Sequence, residues 1–302
     1  MNTGSDRPVA LITGGSSGSG LATAELFLSR GYRVAIVGRN TERLEAAKNR
    51  LGLEANVLCA PGDMGVAAEA ERVVDVTVAE FGRLDVLVAC HGYFAPLIHV
   101  LDLTGEEWQR QLGVHLFGVI NIATAAAKVM SDQGGGSIVT ISTINAWQAE
   151  PHFVPHSVAK AGVVALTRGM ALDLAPFGVR VNGVAPAWVD SPMGAPDFVG
   201  IENQPIDCNF QNRPAHPEEI AEVVWFLASA ASSALSGTTV MADLGQMSLL
   251  TGLRTVEGNE TVDNMRRWRN EASSERGGPH ETPYRDRLLR MEMEFGAGVH
   301  AS

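Results

Sequence analysis

Cysteine is scarce in this chain. Three residues, Cys59, Cys90 and Cys208, are scattered through 302 positions with no metal-ligand spacing. That argues against a disulfide framework and a metal site, and it fits a reducing compartment. Positive charge is also short, with 23 Lys and Arg against 34 Asp and Glu and a net charge of −11. A nucleic-acid surface needs clustered cations to neutralise phosphates, so no nucleic-acid partner is expected. An anionic cofactor can still be held by local backbone amides. No apolar run approaches the length that spans a bilayer, and the opening "MNTGSDRP" lacks the basic-then-apolar pattern of a secretory leader. The expectation is a cytoplasmic protein with no membrane partner.

What is present is ordinary globular material, 45% hydrophobic and 19% charged. From residue 8 to about 242, short apolar runs alternate with longer amphipathic stretches. "PVALIT", "YRVAIVG", "ANVLCA", "LDVLVAC", "GSIVTIS", "VRVNGVAP" and "TTVMAD" read as buried strands. The stretches between them read as helices, among them one long helix over "TGEEWQRQLGVHLFGVINIATAAAKVM"; Thr41 and Thr104 read as N-caps. Hydrophobicity that is continuous along the strands, not alternating, means that both sheet faces are covered. The fold class is therefore α/β, a single doubly wound parallel sheet with helices on both faces. Residues 192–216, rich in Pro and Asn, are too long for a plain connector and read as a substrate lid. Residues 1–247 form one domain on this reading, and the Arg- and Glu-rich stretch 248–302 is a partly helical C-terminal extension.

The segment "ALITGGSSGSGLATAELFLSRG" places Gly14, Gly18 and Gly20 between a strand and a helix. Glycines there permit a tight turn and let a pyrophosphate approach the helix N-terminus, where free amides favour negative charge. At the end of the second strand Arg39 stands where an acidic residue would select NAD. NADP(H) is therefore favoured, with NAD(H) and a merely solvated Arg39 as the alternatives. Asp63 closes the third strand, placed either to accept from an adenine amine or to cap the next helix.

Taken with "GRLDVLV", "GSIVTIS", "VRVNGVAPAWVDSPM" and "SGTTVMADLGQ", these motifs resemble the short-chain dehydrogenase/reductase family from residue 8 to about 247. The resemblance implies a Rossmann-like NAD(P)-dependent oxidoreductase acting on a small molecule, usually as a homodimer or homotetramer. It places Gly14, Ser16, Ser17, Gly18, Gly20, Arg39, Asp63, Met64, Ala89, Gly92, Lys160, Pro186 and Val189 at the cofactor. Its active site combines serine, tyrosine, lysine and asparagine.

Position by position, the family's tyrosine lands on His156, its serine on Thr143 and its asparagine on His115, while Lys160 matches. Thr143, His156, Lys160 and His115 are therefore the catalytic candidates. Free histidine titrates ~3.5 pH units below tyrosine, and the Lys160 ammonium lowers it further by like-charge repulsion. A neutral His156 accepts protons well and donates them poorly. Imidazole is also shorter than phenol, so water, substrate or another donor must fill the gap. The fold is expected to bring His91, Tyr93, His115 and His152 towards the same cleft. Tyr93, Trp147, His152, Phe153 and Trp188 are the expected substrate contacts, implying a hydrophobic and aromatic or polycyclic substrate. No metal site is expected. Two other readings remain open: a non-redox enzyme of this fold with histidine acid/base chemistry, and a silent nucleotide binder.

Overall fold

The computed structural model describes residues 7–52, 56–192, 209, 211 and 213–248. Most of the expected lid and the C-terminal extension lie outside the described residues. Strands are β1 (Val9–Thr13), β2 (Arg33–Gly38), β3 (Val57–Pro61), β4 (Val86–Ala89), β5 (Gly136–Ile141), β6 (Val179–Pro186) and β7 (Thr239–Ala242). Each coincides with one of the seven apolar runs. Helices are α1 (Gly18–Ser29), α2 (Thr41–Leu51), α3 (Ala67–Phe81), α4 (Gly105–Leu112), α5 (Gly118–Gln133), α6 (Val154–Leu174) and α7 (Pro217–Ala228). The strands form one sheet in the order β3-β2-β1-β4-β5-β6-β7, and every neighbouring pair is parallel.

All five residues of β1 are buried, because the sheet is covered twice. Val9 and Leu11 enter a core with Val73 of α3, Ile122 and Met130 of α5 and Val163 of α6. Ala10 and Ile12 point the other way, to Phe27 of α1, Leu44 of α2 and Leu227 of α7. Each buried Leu, Ile or Phe contributes ~1.5–3 kcal/mol relative to exposure. Burial on both faces is therefore what these continuous apolar runs encode.

Two local expectations change. The cap of α2 is Asn40, whose side chain accepts from the Arg43 amide at 2.9 Å; Thr41 is the first helical residue. Thr104 does cap α4, accepting from the Glu107 amide at 3.1 Å. The long helix is not regular throughout, since a π-helical turn over Gly113–Phe117 separates α4 from α5. Such turns widen one helical turn and re-aim its side chains. Here it carries His115. By length and composition the whole stretch Gly105–Gln133 is apolar enough to cross a membrane, with hydropathy 1.5. Its Val119, Ile122, Ala126 and Met130 nevertheless sit in the core against the sheet, as a core helix does.

Candidate active site

Strand order reverses between β1 and β4, and the crevice at such a switch point is where an open α/β sheet takes its ligand. The turn from β1 to α1 is shaped for close approach. Gly14 has a φ of +69° and Gly18 of +51°. A Cβ on Gly14 would lie 2.8 Å from the Cys90 carbonyl oxygen, and one on Gly20 would collide with the Gly14 carbonyl. The Gly14 amide donates to the Val37 carbonyl at 2.8 Å, tying the turn to β2. Ser17, exposed at the head of α1, makes no capping hydrogen bond with its side chain. The first-turn amides therefore remain for an anion, with half-buried Ser16 beside them. This cradle fits the pyrophosphate of a dinucleotide.

Further along the crevice, Arg39 and Asp63 form an ion pair at 4.0 Å, both well exposed. They share a cleft of about 520 Å³ with Pro61, Gly62, Glu69 and Arg72. The Asp63 carboxylate also accepts from the Gly65 amide at 2.9 Å, and the Asp63 amide donates to Glu69 at 2.7 Å. Asp63 thus shapes the turn before α3, whose capping position is Val66. The Met64 side chain is 3% exposed and belongs to the core, while its carbonyl accepts from Asn121 at 2.9 Å. Ala89 and Pro186 end β4 and β6 and are buried; Gly92 is half-buried. Val189 pairs with Ala215 in an isolated parallel bridge, which fastens the chain just before the expected lid to the lid's last residues.

At the nicotinamide end of the crevice the rings gather. The Thr13 hydroxyl accepts from the amides of Cys90 and His91 at 3.0 and 3.2 Å and lies 2.7 Å from His91 Nδ1. The same hydroxyl donates to the Val88 carbonyl at 3.4 Å, so Thr13 ties the end of β1 to β4 and leaves His91 Nε2 on the side of α5. A Cβ on Gly118 would sit 2.6 Å from that Nε2, so glycine at the start of α5 is what admits the ring. His115 lies with its ring centroid 4.8 Å from Tyr93 on one side and 4.8 Å from His156 on the other. His156 in turn lies 4.4 Å from Phe153. One turn along α6, buried Lys160 donates to the Ile141 carbonyl at 2.8 Å, and the Ser142 hydroxyl donates to the Lys160 carbonyl at 2.9 Å. Half-buried Thr143 follows directly, its hydroxyl accepting from the Asn145 amide at 3.4 Å.

Burial dominates the electrostatics. It lowers the pKa of His91 to about 4, of His115 to about 2 and of His156 to about 3, and in each the Lys160 ammonium is the second cause. The like-charge repulsion expected at His156 is real but ranks below desolvation. Burial likewise lowers Lys160 to about 8 and raises the Cys90 thiol to about 11. At neutral pH the three imidazoles are uncharged, and their burial resists protonation.

The convergence is narrower than expected. His91, Tyr93, His115 and His156 are together with Lys160 and Phe153, but His152 is not in the ring row. It adopts φ of +65°, and its ring lies 5.5 Å from His99. The Ile98 amide donates to the His152 carbonyl at 3.0 Å, which holds these two histidine segments together. Trp147 is 44% exposed, and Trp188 is half-buried beside the Val189 bridge. Two residues escaped sequence reading. Thr13 hides inside an apolar strand, and its only signal is a hydroxyl at the last position of "VALIT". Glu150 is half-buried, accepts from Asn145 and has its pKa raised by burial, but nothing in "QAEPHF" marks it.

The comparisons with known proteins identify the family. Residues 14–247 match the family model described as enoyl-(acyl carrier protein) reductase. A cis-4-hydroxycyclohexanecarboxylate dehydrogenase from Sinomonas cyclohexanicum is 37% identical over 244 residues, covering 78% of this chain and 95% of its own. Among solved structures, an actinorhodin polyketide ketoreductase with NADPH superposes with a TM-score of 0.75 at 29% identity, covering 82% of this chain and 99% of its own. A gluconate 5-dehydrogenase from Burkholderia cenocepacia in complex with NADP and tartrate gives 0.75 at 29%, covering 80% and 96%. The relatives are dehydrogenases and reductases, and two of the solved structures carry NADPH or NADP. The chain belongs to the short-chain dehydrogenase/reductase family and is an enzyme of that type.

Proposed function

We propose that the chain is an NADP(H)-dependent oxidoreductase interconverting a hydrophobic alicyclic or aromatic ketone and its alcohol, with histidine at the place the family gives to tyrosine. The observation that carries this reading is the row Tyr93, His115, His156 beside buried Lys160 at the mouth of a glycine turn fitted to a dinucleotide. When bound, the nucleotide supplies or accepts the hydride. The amides after Gly14 and the head of α1 would hold its pyrophosphate, Arg39 a 2′-phosphate, and Lys160 a ribose hydroxyl. Thr143 offers a hydroxyl to the substrate oxygen. Phe153, Tyr93 and Trp188 supply apolar surface for a ring, which the alicyclic substrate named for the Sinomonas relative also favours. His156, neutral at working pH, offers an imidazole nitrogen to the substrate oxygen as a hydrogen-bond partner; with its pKa lowered to about 3 it is too weak a base to carry the alcohol proton itself.

The test uses purified full-length chain with NADPH and a panel of cyclohexanones, 4-oxocyclohexanecarboxylate among them, followed by loss of reduced-nucleotide absorbance. Consumption of one NADPH per ketone is expected. His156→Phe should remove it, and Arg39→Ala should weaken NADPH at least tenfold while leaving NADH nearly unchanged. Substrate turnover without net NADPH change would overturn the redox assignment in favour of a non-redox acid/base enzyme.

A further inference from the structure

Reduction of a ketone consumes a proton as well as a hydride, and the histidines have none to spare. A neutral imidazole N–H is a very weak acid, and all three rings are neutral at pH 7. Beside the imidazoles, Lys160, the Cys90 thiol and Tyr93 carry a transferable proton, and Cys90 lies at the end of β4 behind the ring row. Lys160 gives one of its three N–H bonds to the Ile141 carbonyl at 2.8 Å, and on the reading above another goes to the ribose of the nucleotide. Tyr93 is different. Although the residue is only half-buried, its hydroxyl oxygen is fully buried and has no hydrogen-bond partner among the described residues. The same is true of both His115 nitrogens and of His156 Nδ1. A buried polar atom left unsatisfied costs ~1–3 kcal/mol, so four such atoms along one row of rings mark a place built to meet polar groups that come from outside the chain.

We propose that Tyr93, on the loop after β4, is the catalytic acid for ketone reduction, a phenol supplied from across the cleft to a site whose α6 position is His156. This rests on the oxidoreductase reading above. The substrate carbon receives hydride from the reduced nicotinamide nucleotide, the carbonyl π pair moves onto oxygen, and that oxygen takes the proton as the Tyr93 O–H bond breaks. The phenolate left on Tyr93 takes a proton from solvent before the next turnover. In oxidation the same moves run backwards. Groups facing Tyr93 suit the role. The Arg110 guanidinium of α4 lies 5.1 Å from the ring centroid, held by Glu107 at 2.7 Å. Burial raises the Tyr93 pKa, and Arg110 opposes it. The phenol therefore stays protonated at neutral pH while the phenolate that forms has a cation over its ring.

The test compares Tyr93→Phe with the unaltered chain, using NADPH and 4-oxocyclohexanecarboxylate. A fall in kcat of at least 100-fold is expected, with KM and NADPH affinity within threefold. A second variant carries 3-fluorotyrosine at 93, a more acidic phenol of nearly the same shape, and should move the alkaline limb of the kcat profile to lower pH. A third readout needs no turnover. With only three tyrosines in the chain, ¹³Cζ-tyrosine NMR resolves Tyr93 by its loss in Tyr93→Phe, and its resonance should shift when the ketone is added to the NADP⁺ complex. Retention of kcat within threefold by Tyr93→Phe, an unmoved fluorotyrosine profile, or an unmoved resonance overturns this inference alone. Failure of the unaltered chain to consume NADPH with any ketone overturns the reading it rests on.

Discussion

Acidification from pH 7.5 to 5 should destabilise this protein far more than its surface charge suggests, and the cause lies in the active-site cluster. His91, His115 and His156 have folded pKa values of about 4, 2 and 3 because burial and Lys160 disfavour the imidazolium. In the unfolded chain each returns to ~6.5. The unfolded state therefore binds protons that the folded state refuses, so the stability is complete above pH 6.5 and lost as pH falls below it. At pH 5 each histidine costs ~2 kcal/mol, and the three together ~6 kcal/mol, a large part of a typical ~5–15 kcal/mol total. The window is diagnostic. Glu219, whose pKa Arg213 lowers to about 2, begins to lose its contribution only as pH drops towards the ordinary carboxylate range. The assay is urea unfolding followed by tryptophan fluorescence at half-unit steps from pH 7.5 to 5. The slope of stability against pH should approach three protons near pH 5.5, and in His115→Asn it should approach two. A stability that is flat across pH 7.5 to 5.5, or an unchanged slope in His115→Asn, would refute burial of neutral imidazoles as the organising feature of the site.

Lys160 should behave as a functional residue kept at a cost to stability. Its folded pKa of about 8 lies below its unfolded value, so stability should rise with pH between about 8 and 10.5, and at neutral pH the buried ammonium costs ~3 kcal/mol. Lys160→Met, which gives up the bond to Ile141 but also the charge, should raise the apo melting temperature by several degrees at ~2–4 °C per kcal/mol while abolishing turnover; a fall in melting temperature would refute the sign. Gly118→Ala places a methyl 2.6 Å from His91 Nε2, and should cost ~1–3 kcal/mol through overpacking, read as a lower urea midpoint; Gly105→Ala, which meets nothing within 4 Å, is the control and should be neutral or stabilising.

Legibility in the sequence follows from how each feature is encoded. The sheet was readable because every strand is a contiguous apolar run, and burial on both faces leaves that run unbroken, as in β1. The glycine turn was readable because positive φ and close backbone approach restrict the residue type at Gly14 and Gly20. The ring row was only half readable. His115 and His156 stand at positions that the family motif numbers, but what makes them a chemical unit is the π-helical turn over Gly113–Phe117 and the room at Gly118. Neither leaves a periodic trace, since one irregular turn inside a long helix hardly changes the hydrophobic pattern. His152 is expected on the same cleft because the fold brings its segment there; with a left-handed backbone at that position its ring lies beside His99. Where a side chain ends depends on backbone and side-chain dihedrals that leave no trace in a sequence pattern. The same dependence explains why Tyr93 matters. A motif fixes where a residue sits along the chain, but a proton donor is defined by where its hydroxyl ends. A phenol on the loop after β4, with its ring against His115 and its oxygen buried, can serve a site whose α6 position carries an imidazole.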